Sequence, residues 1–327
     1  MDVYRHTHDL PESARGGVVA IGNFDGLHRG HRGVLGEAQA RARALGVPCN
    51  VMTFEPHPRR LFKPDQAPFR LSALRTKLRL MEALGIDNVF VLQFDWSFAK
   101  ITAETFITDL LVGDLAAPHV VIGRGFRFGH KRQGDADLLA AMGAKPGTGR
   151  GFGVSALDAV QDEHGDTISS SRVRECLQAG ELREAQRLLG RPWEVEGRVE
   201  HGAKRGREIG FPTANVPLGE YLEPMHGIYA VRAGVDSGPD TFWMDGAGYI
   251  GTRPSVQGDN VLLEVSLFDV SPDLYNKHLR VQLIEFLRAD HAFDSMQALS
   301  MQIAEDCRHA RRVLENEPAV TVETAGG

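Results

Sequence analysis

Two histidines three positions apart, His28 and His31, are the residues of this sequence best placed to do chemistry. They follow an apolar run at 18–21 and a glycine-rich turn, and an amphipathic helix begins directly after them. A strand that passes into a helix N-terminus attracts anions, because free N–H groups and the positive end of the helix dipole meet there. Since imidazoles can donate hydrogen bonds to phosphoryl oxygens, the segment predicts a phosphate-binding site. A plain surface turn is the alternative for a lone histidine pair.

A second set of polar side chains opens a later helix. Three serines occupy positions 169–171, and Arg174 follows one turn on. Serines at a helix start are most simply an N-cap and its neighbours. Hydroxyls, free N–H groups and an arginine at one helix N-terminus also make a clamp for a triphosphate, so both interpretations stay open.

A glycine-rich basic segment, 201–216, lies in the C-terminal half. Its glycines with Lys204, Arg205 and Arg207 suit a phosphate group, because the backbone can approach a ligand closely and the cations attract it. Thr213 and Asn215 are neutral oxygen ligands, which suit a magnesium ion that keeps several waters. A nucleic-acid-binding loop is the competing interpretation, but the segment lacks interleaved aromatic residues and a basic domain around it.

Glu264 is the candidate carboxylate of the C-terminal half. On a strand predicted at 261–269, alternate residues share a face, so Glu264 lies on the same face as Leu262 and Ser266. A carboxylate on an otherwise apolar or small face is usually a structural charge at a barrel rim. It is also where a general base would be placed.

The elements that must position these residues change in character near Gly190. Before it, apolar strands alternate with helices, which predicts a parallel sheet covered on both faces, with ligands beyond the carboxyl ends of the strands. After it, short strands follow one another, which predicts a small antiparallel barrel or sandwich closed by a helix from about Ser295. We therefore expect an α/β domain over residues 1–189 and a β domain over 190–327.

The strands predicted before that boundary lie at 18–21, 49–54, 88–93, 119–122 and 154–160. Helices are predicted at 72–84 and from an N-cap at Thr102 to about Leu111. Those predicted after it lie at 193–199, 227–233, 241–244, 261–269 and 279–287. The final helix should bury a face made of Met296, Leu299, Ile303, Cys307, Ala310 and Leu314.

Composition limits the class of protein. A chain of 327 residues exceeds what one hydrophobic core usually serves, and the net charge of −6 argues against nucleic acid as a partner. Three widely spaced cysteines suggest neither a disulfide framework nor a zinc site. No apolar run approaches the ~20 residues of a membrane span, and the N-terminus lacks the apolar core of a signal peptide. We expect a soluble cytoplasmic enzyme without a membrane partner.

Nine segments resemble those of the bacterial bifunctional riboflavin kinase/FMN adenylyltransferase family, also called FAD synthetase. In order they are GNFDGLHRGH, TFEPHP, VIGRGFRFG, ISSSRVR, HGAKRGREIGFPTAN, GIYAV, IGTRPS, LLEVSLFDV and LYNKHL. The resemblance covers nearly the whole chain. It implies a Rossmann-like nucleotidyltransferase domain followed by a riboflavin kinase barrel with a C-terminal helix. The first would join FMN and ATP into FAD and pyrophosphate, and the second would phosphorylate riboflavin with ATP to FMN.

The resemblance also assigns roles. His28 and His31 would contact the ATP phosphates with Arg174, and Glu264 would take the proton of the riboflavin 5′-hydroxyl. Thr213 and Asn215 would hold Mg²⁺. The implied nucleotide-binding positions are Gly22, Asn23, Phe24, Gly30, Ser169, Ser170, Ser171, Gly202, Lys204, Gly206, Arg207, Gly210, Phe211, Pro212 and Thr213. ATP, riboflavin and FMN are the expected partners, and homo-oligomer formation is left open.

Four positions depart from the family pattern. Gly125 stands where the family usually has Asp or Asn near the flavin; Ser171 and Ser255 replace threonines, and Asn276 replaces a glycine. The alternative function is an adenylyltransferase for another phosphorylated acceptor, with a C-terminal domain that binds flavin without catalysis. The FPTAN string and the carboxylate at position 264 argue against that alternative.

Overall fold

The structure is a computed structural model that describes residues 1–144, 151–200, 212–255, 258–270 and 272–317. Contacts between residues divide it into two compact units. Among the described residues, unit 1 comprises Met1–Gln66 and Lys77–Ile168, and unit 2 comprises Ala67–Thr76 and the residues from Ser169 to Glu317. The boundary expected at residue 190 stays a prediction, and the chain between Ser169 and that point belongs to unit 2 by its contacts. Among the described residues, no helix is long and apolar enough to cross a membrane.

Unit 1 is built on one parallel sheet, as predicted. Its strands are β1 (Asp2–Tyr4), β2 (Val18–Ile21), β3 (Cys49–Glu55), β4 (Asn88–Gln93), β5 (His119–Gly123) and β6 (Gly153–Leu157). They lie in the order β1-β4-β3-β2-β5-β6. The central strand β2 is buried at every position. That burial explains why its sequence is a continuous apolar run rather than an alternating one.

The helices of the N-terminal part of the chain are α1 (Arg29–Leu45), α2 (Pro58–Phe62), α3 (Leu74–Ala83), α4 (Ala103–Thr105) and α5 (Ala136–Gly143). Helix α1 ends at Gly46, whose φ of 66° is left-handed, as the sequence predicted. The α-helix predicted from Thr102 to Leu111 is correct at its N-cap and wrong beyond it. From Phe106 to Asp114 the chain forms a π-helix, whose wider turn puts Phe106 and Leu111, five residues apart, into the core together.

Unit 2 is a nearly closed antiparallel barrel, again as predicted. Its strands are β7 (Trp193–Arg198), β8 (Ala214–Pro217), β9 (Gly227–Val235), β10 (Met244–Ser255), β11 (Gly258–Leu267) and β12 (His278–Ala289), in the order β7-β12-β9-β10-β11-β8. Beyond the end of β7, the Glu200 N–H donates to the Asn215 carbonyl at 2.9 Å. This antiparallel bridge joins the two edges of the sheet.

Two strands of the barrel differ from the prediction. No strand covers 241–244, because the Thr241 hydroxyl donates to the Gly238 carbonyl at 2.8 Å and closes a 3₁₀ turn over Gly238–Asp240. Strand β10 begins only at Met244. The short strand β8 was not predicted, since four residues that follow a proline and a threonine give little periodic signal.

The described part of unit 2 also contains the α-helices α6 (Ser170–Gln178), α7 (Leu182–Leu189) and α8 (Met296–Asn316). Helix α8 is capped by Ser295 as expected, and the buried Arg232 donates to the carbonyls of Leu314 and Glu317 at its other end. Its predicted apolar face is confirmed at Leu314, which lies in a core cluster, and is wrong at Met296, which is 61% exposed.

Candidate functional site

The two histidines of unit 1 are stacked at the start of α1. His28 is the N-cap, and its Nδ1 accepts the His31 N–H at 3.3 Å. An accepting Nδ1 leaves the ring proton on Nε2, so His28 presents an N–H donor on its opposite side. The ring centroids are 3.6 Å apart, and the edge of Phe24 faces His31 at 5.4 Å. The structure thus brings three of the predicted site residues together.

Two predicted glycines allow this close approach. A Cβ on Gly30 would lie 3.1 Å from two ring atoms of His28 and 3.1 Å from the Ile168 carbonyl oxygen. A Cβ on Gly22 would lie 3.0 Å from the Phe24 ring. Both distances are tighter than ordinary contacts, so a Cβ at either position would displace the neighbouring atoms by a few tenths of an ångström.

An ion pair that the sequence analysis missed supports the turn. The Lys77 ammonium lies 2.7 Å from a Glu55 carboxylate oxygen, and it donates at 3.4 Å to the Asn23 carbonyl. The Thr53 hydroxyl donates to the same carbonyl at 3.3 Å. The sequence signal is slight: Lys77 is a charged residue within the helix predicted at 72–84.

A cavity of about 670 Å³ opens beside this turn, and Asn23 lines it. Much of its wall is aromatic: Phe54, Phe62, Phe94, Trp96, Phe106 and Phe128. Cationic side chains also line it, among them Arg59, Lys63, Lys100 and Lys131. Such a cavity fits a flat aromatic molecule that carries a negative charge. The sequence analysis did not predict it, since its residues come from separate strand ends and loops.

One cation of the cavity wall is already paired. Arg127 donates to Asp135, the N-cap of α5. The Leu138 N–H and the Arg127 guanidinium together hold the pKa of Asp135 below its ordinary value. Arg127 is therefore held in place at the wall, and its charge is balanced by that carboxylate.

The serine segment begins α6 in unit 2. The Ser169 hydroxyl accepts the Arg172 N–H at 3.3 Å, so the N-cap interpretation is confirmed for this serine. The Arg174 guanidinium donates to the Phe69 carbonyl at 2.8 Å. The role predicted for Ser169, Arg174 and the two intervening serines in a triphosphate clamp stays a prediction.

The barrel places two candidate residues side by side. Glu264 on β11 is directly opposite Asn215 on β8, so their side chains share a face at a Cβ separation of roughly 5 Å. Both are buried, at 8% and 4% exposure, which excludes a solvated surface charge for Glu264. The Asn215 Oδ1 atom is buried without a hydrogen-bond partner in the described structure. Thr213 is half-buried. It precedes Asn215 by two residues, the spacing at which side chains of an extended chain share a face.

Much of the predicted phosphate segment lies outside the described residues: Gly202, Lys204, Gly206, Arg207, Gly210 and Phe211. Pro212 is described and is exposed.

A second cluster with metal-ligand chemistry exists in the described part of unit 2. Glu196, Asp236 and His278 bring one ligand atom each to within 4.8 Å of one another. However, Arg75 lies 2.6 Å from one Asp236 oxygen and Arg280 lies 3.9 Å from the other. Because these guanidinium groups balance the carboxylate, we assign no metal to this cluster.

The turn in unit 1 offers imidazole groups at a helix N-terminus, which suit a phosphate. The barrel offers a buried carboxylate beside an unsatisfied amide oxygen, which suit a proton acceptor and a ligand for a hard cation. Phosphoryl and nucleotidyl transfer are governed by such positioning and by charge stabilisation. The fold and the sites therefore define a transferase of phosphorus-containing groups.

Comparison with known proteins identifies the family within this class of transferases. A family model of FAD synthetase matches residues 10–172, and one of riboflavin kinase matches residues 189–314. The bifunctional riboflavin kinase/FMN adenylyltransferase of Escherichia coli (strain K12) is 44% identical over 313 residues, which cover 95% of this chain and 97% of the relative. That of Pseudomonas fluorescens is 40% identical over 312 residues, 95% of this chain and 97% of the relative. The chain belongs to the bifunctional riboflavin kinase/FMN adenylyltransferase family.

A solved structure supports the fold along the chain. A protein of Streptococcus pneumoniae, described as a macrolide-efflux protein, has a TM-score of 0.81 and 28% sequence identity to this chain. The match covers 96% of this chain and 98% of that protein.

Proposed function

We propose that the chain makes FAD from riboflavin in two ATP-dependent steps, with the kinase step in the barrel and the adenylyl transfer in the parallel-sheet unit. One observation carries the proposal for unit 1: Asn23 belongs to the histidine turn and also lines the aromatic cavity. A ring system in the cavity can therefore bring its phosphate to the turn where a second phosphate binds. FMN has this combination of a flat ring and a phosphate.

In the adenylyl transfer, a phosphate oxygen of FMN attacks the α-phosphorus of ATP, and pyrophosphate leaves. The Nε2–H of His28 and the ring of His31 stabilise the negative charge that develops on the phosphoryl oxygens, and the N-terminus of α1 adds its positive dipole end. The aromatic wall, including Phe54 and Phe128, orients the flavin ring. No covalent bond to the protein is needed, because both reactants are held in position.

In the kinase step, Glu264 accepts the proton of the riboflavin 5′-hydroxyl as that oxygen attacks the γ-phosphorus of ATP, and ADP leaves. Its neighbour Asn215, with a buried and unsatisfied Oδ1, fits a hard cation, and so does the hydroxyl of Thr213. These two residues would hold Mg²⁺, which neutralises charge on the ATP phosphates when bound.

The free cysteines Cys49 and Cys176 fit a reducing compartment, which supports the cytoplasm as the location.

The experiment that tests the function is direct. The purified chain is incubated with riboflavin, ATP and Mg²⁺, and riboflavin, FMN and FAD are separated by chromatography. We expect FMN to appear first and FAD to follow, with FMN supplied alone also converted to FAD. Binding of flavin without FMN formation would instead support the rival function, an adenylyltransferase for another phosphorylated acceptor.

The Gly125→Asp variant should bind FMN more tightly. A Cβ at this position meets no heavy atom within 4 Å, and the φ of Gly125 is not positive, so a side chain fits without strain. One added hydrogen bond contributes about 0.5–1.5 kcal/mol, so the Michaelis constant for FMN should fall about two- to twelvefold. The Gly125→Ala variant is the control, because it adds a Cβ but no polar group. An unchanged constant in the aspartate variant would argue against a flavin contact at this position.

A further inference from the structure

Lys77 and Glu55 form an ion pair that is almost entirely removed from water. Their side chains are 3% and 13% exposed, and the ammonium lies 2.7 Å from the carboxylate. Removing two charges from water is costly unless each finds its partner. A surface pair would have avoided that cost, so the location of this pair needs a reason.

The location is directly beneath the histidine turn. The Lys77 ammonium donates to the Asn23 carbonyl at 3.4 Å, where the Thr53 hydroxyl also donates. The next residue, Phe24, faces the ring of His31, which is stacked on His28. An unbroken series of contacts therefore runs from the ammonium to both imidazoles.

The pair also determines the charge at this edge of the sheet. Glu55 is the last residue of β3, and Met52 of the same strand accepts the Gly22 N–H at 3.1 Å, so the turn and the carboxylate lie at neighbouring strand ends. ATP and FMN both bring negatively charged phosphates to the carboxyl ends of such strands. An unpaired carboxylate there would repel them, and the ammonium cancels its charge.

We propose that Lys77 is a positioning residue of the adenylyl transfer: it holds the turn under the histidines and neutralises Glu55 against the incoming phosphates. This proposal rests on the function proposed above for unit 1. It assigns two separable effects to one ammonium group, one on the geometry of the turn and one on the local charge.

The Lys77→Met variant tests both effects, since methionine is unbranched and only one atom shorter than lysine, and it removes the charge. We expect kcat for FAD formation from FMN to fall about tenfold or more, because small displacements of reacting groups are costly. We also expect the Michaelis constant for ATP to rise about tenfold, since the ammonium 2.7 Å from the Glu55 carboxylate no longer balances its charge. Added salt should shrink the effect on the Michaelis constant and leave the effect on kcat.

The Lys77→Met/Glu55→Gln double variant separates the two effects. With the carboxylate removed, the Michaelis constant for ATP should return to within about threefold of the wild type, because no net charge remains. The value of kcat should stay low, since the donor to the Asn23 carbonyl is still missing. The matched control is Arg79→Met, which removes a cation two residues further along α3, pointing to another side of the helix. It should leave FAD formation within about twofold.

Thermal melting and the riboflavin-to-FMN rate establish that each variant is folded. A folded Lys77→Met protein with normal kcat and Michaelis constants would overturn the proposal. A double variant whose Michaelis constant for ATP stays as high as in the single variant would also overturn it. If Lys77→Met does not fold, the double variant, which leaves no buried charge, still decides the kcat effect. Failure of the function itself is distinguishable, because the unaltered chain would then form no FAD from FMN and ATP.

Discussion

We expect the His28→Ala and His31→Ala variants each to form FAD from FMN and ATP at a rate about 10²–10³-fold lower, while FMN formation from riboflavin continues. The magnitude is that of removing one preorganised donor from a site where charge develops in the transition state. The selectivity follows from location, since both histidines begin α1 in unit 1 and the kinase residues belong to the barrel. The measurement is the rate of each half-reaction in the same preparation.

A matched variant separates the loss of the imidazole from the loss of the helix N-cap. Because His28 is the N-cap of α1, its loss to alanine also costs about 1 kcal/mol of stability. Asparagine is a good N-cap, so His28→Asn keeps the start of the helix and removes the imidazole. We expect this variant to melt near the wild-type temperature and still to lose FAD formation. If both half-reactions fell in parallel in a folded His28→Asn protein, the assignment of two sites would be wrong.

Glu264→Gln should lower the rate of FMN formation about 10²–10⁴-fold, the usual effect of removing a general base. Glutamine has nearly the same volume, so riboflavin should still bind to the buried site. It cannot accept the proton of the 5′-hydroxyl. Conversion of supplied FMN to FAD should be unaffected, and both rates are measured by the same chromatography.

The barrel provides a control carboxylate. Glu285 on β12 is partly exposed and pairs with Arg183 at the surface, so Glu285→Gln should leave both half-reactions within about twofold. A Glu264→Gln protein that makes FMN at a near wild-type rate would reduce Glu264 to a structural residue. Its direct cross-strand neighbour Asn215 would then need another explanation for its unsatisfied oxygen.

The parts of the fold that could be predicted are those whose signals are local. The strand at 18–21 and helix α1 with its Gly46 C-cap follow from a short apolar run, a 3.6-residue period and one left-handed glycine. The HxGH spacing predicts the stacked pair for the same reason, since N-cap and N3 residues of one helix are always neighbours.

The remainder depends on contacts that sequence spacing does not encode. The π-helix from Phe106 arises from tertiary packing that overrides the 3.6-residue period. Lys77 reaches Asn23 across more than fifty positions, and the aromatic cavity collects side chains such as Phe62 and Phe128 from distant loops. The burial of Glu264 follows from its pairing with β8, a strand too short to be predicted.

The bridge between Glu200 and Asn215 has a consequence for how this family can vary. Glu200, just beyond β7, and Asn215, in β8, are joined by one hydrogen bond, so the length of the chain between these two strands need not affect the pairing of the other strands. Lengthening such a closed segment costs little, only about 0.6 kcal/mol per doubling. Insertions and deletions there should therefore be tolerated thermodynamically far better than at the β10–β11 hairpin. The barrel should therefore keep its stability when the length of the chain between β7 and β8 changes.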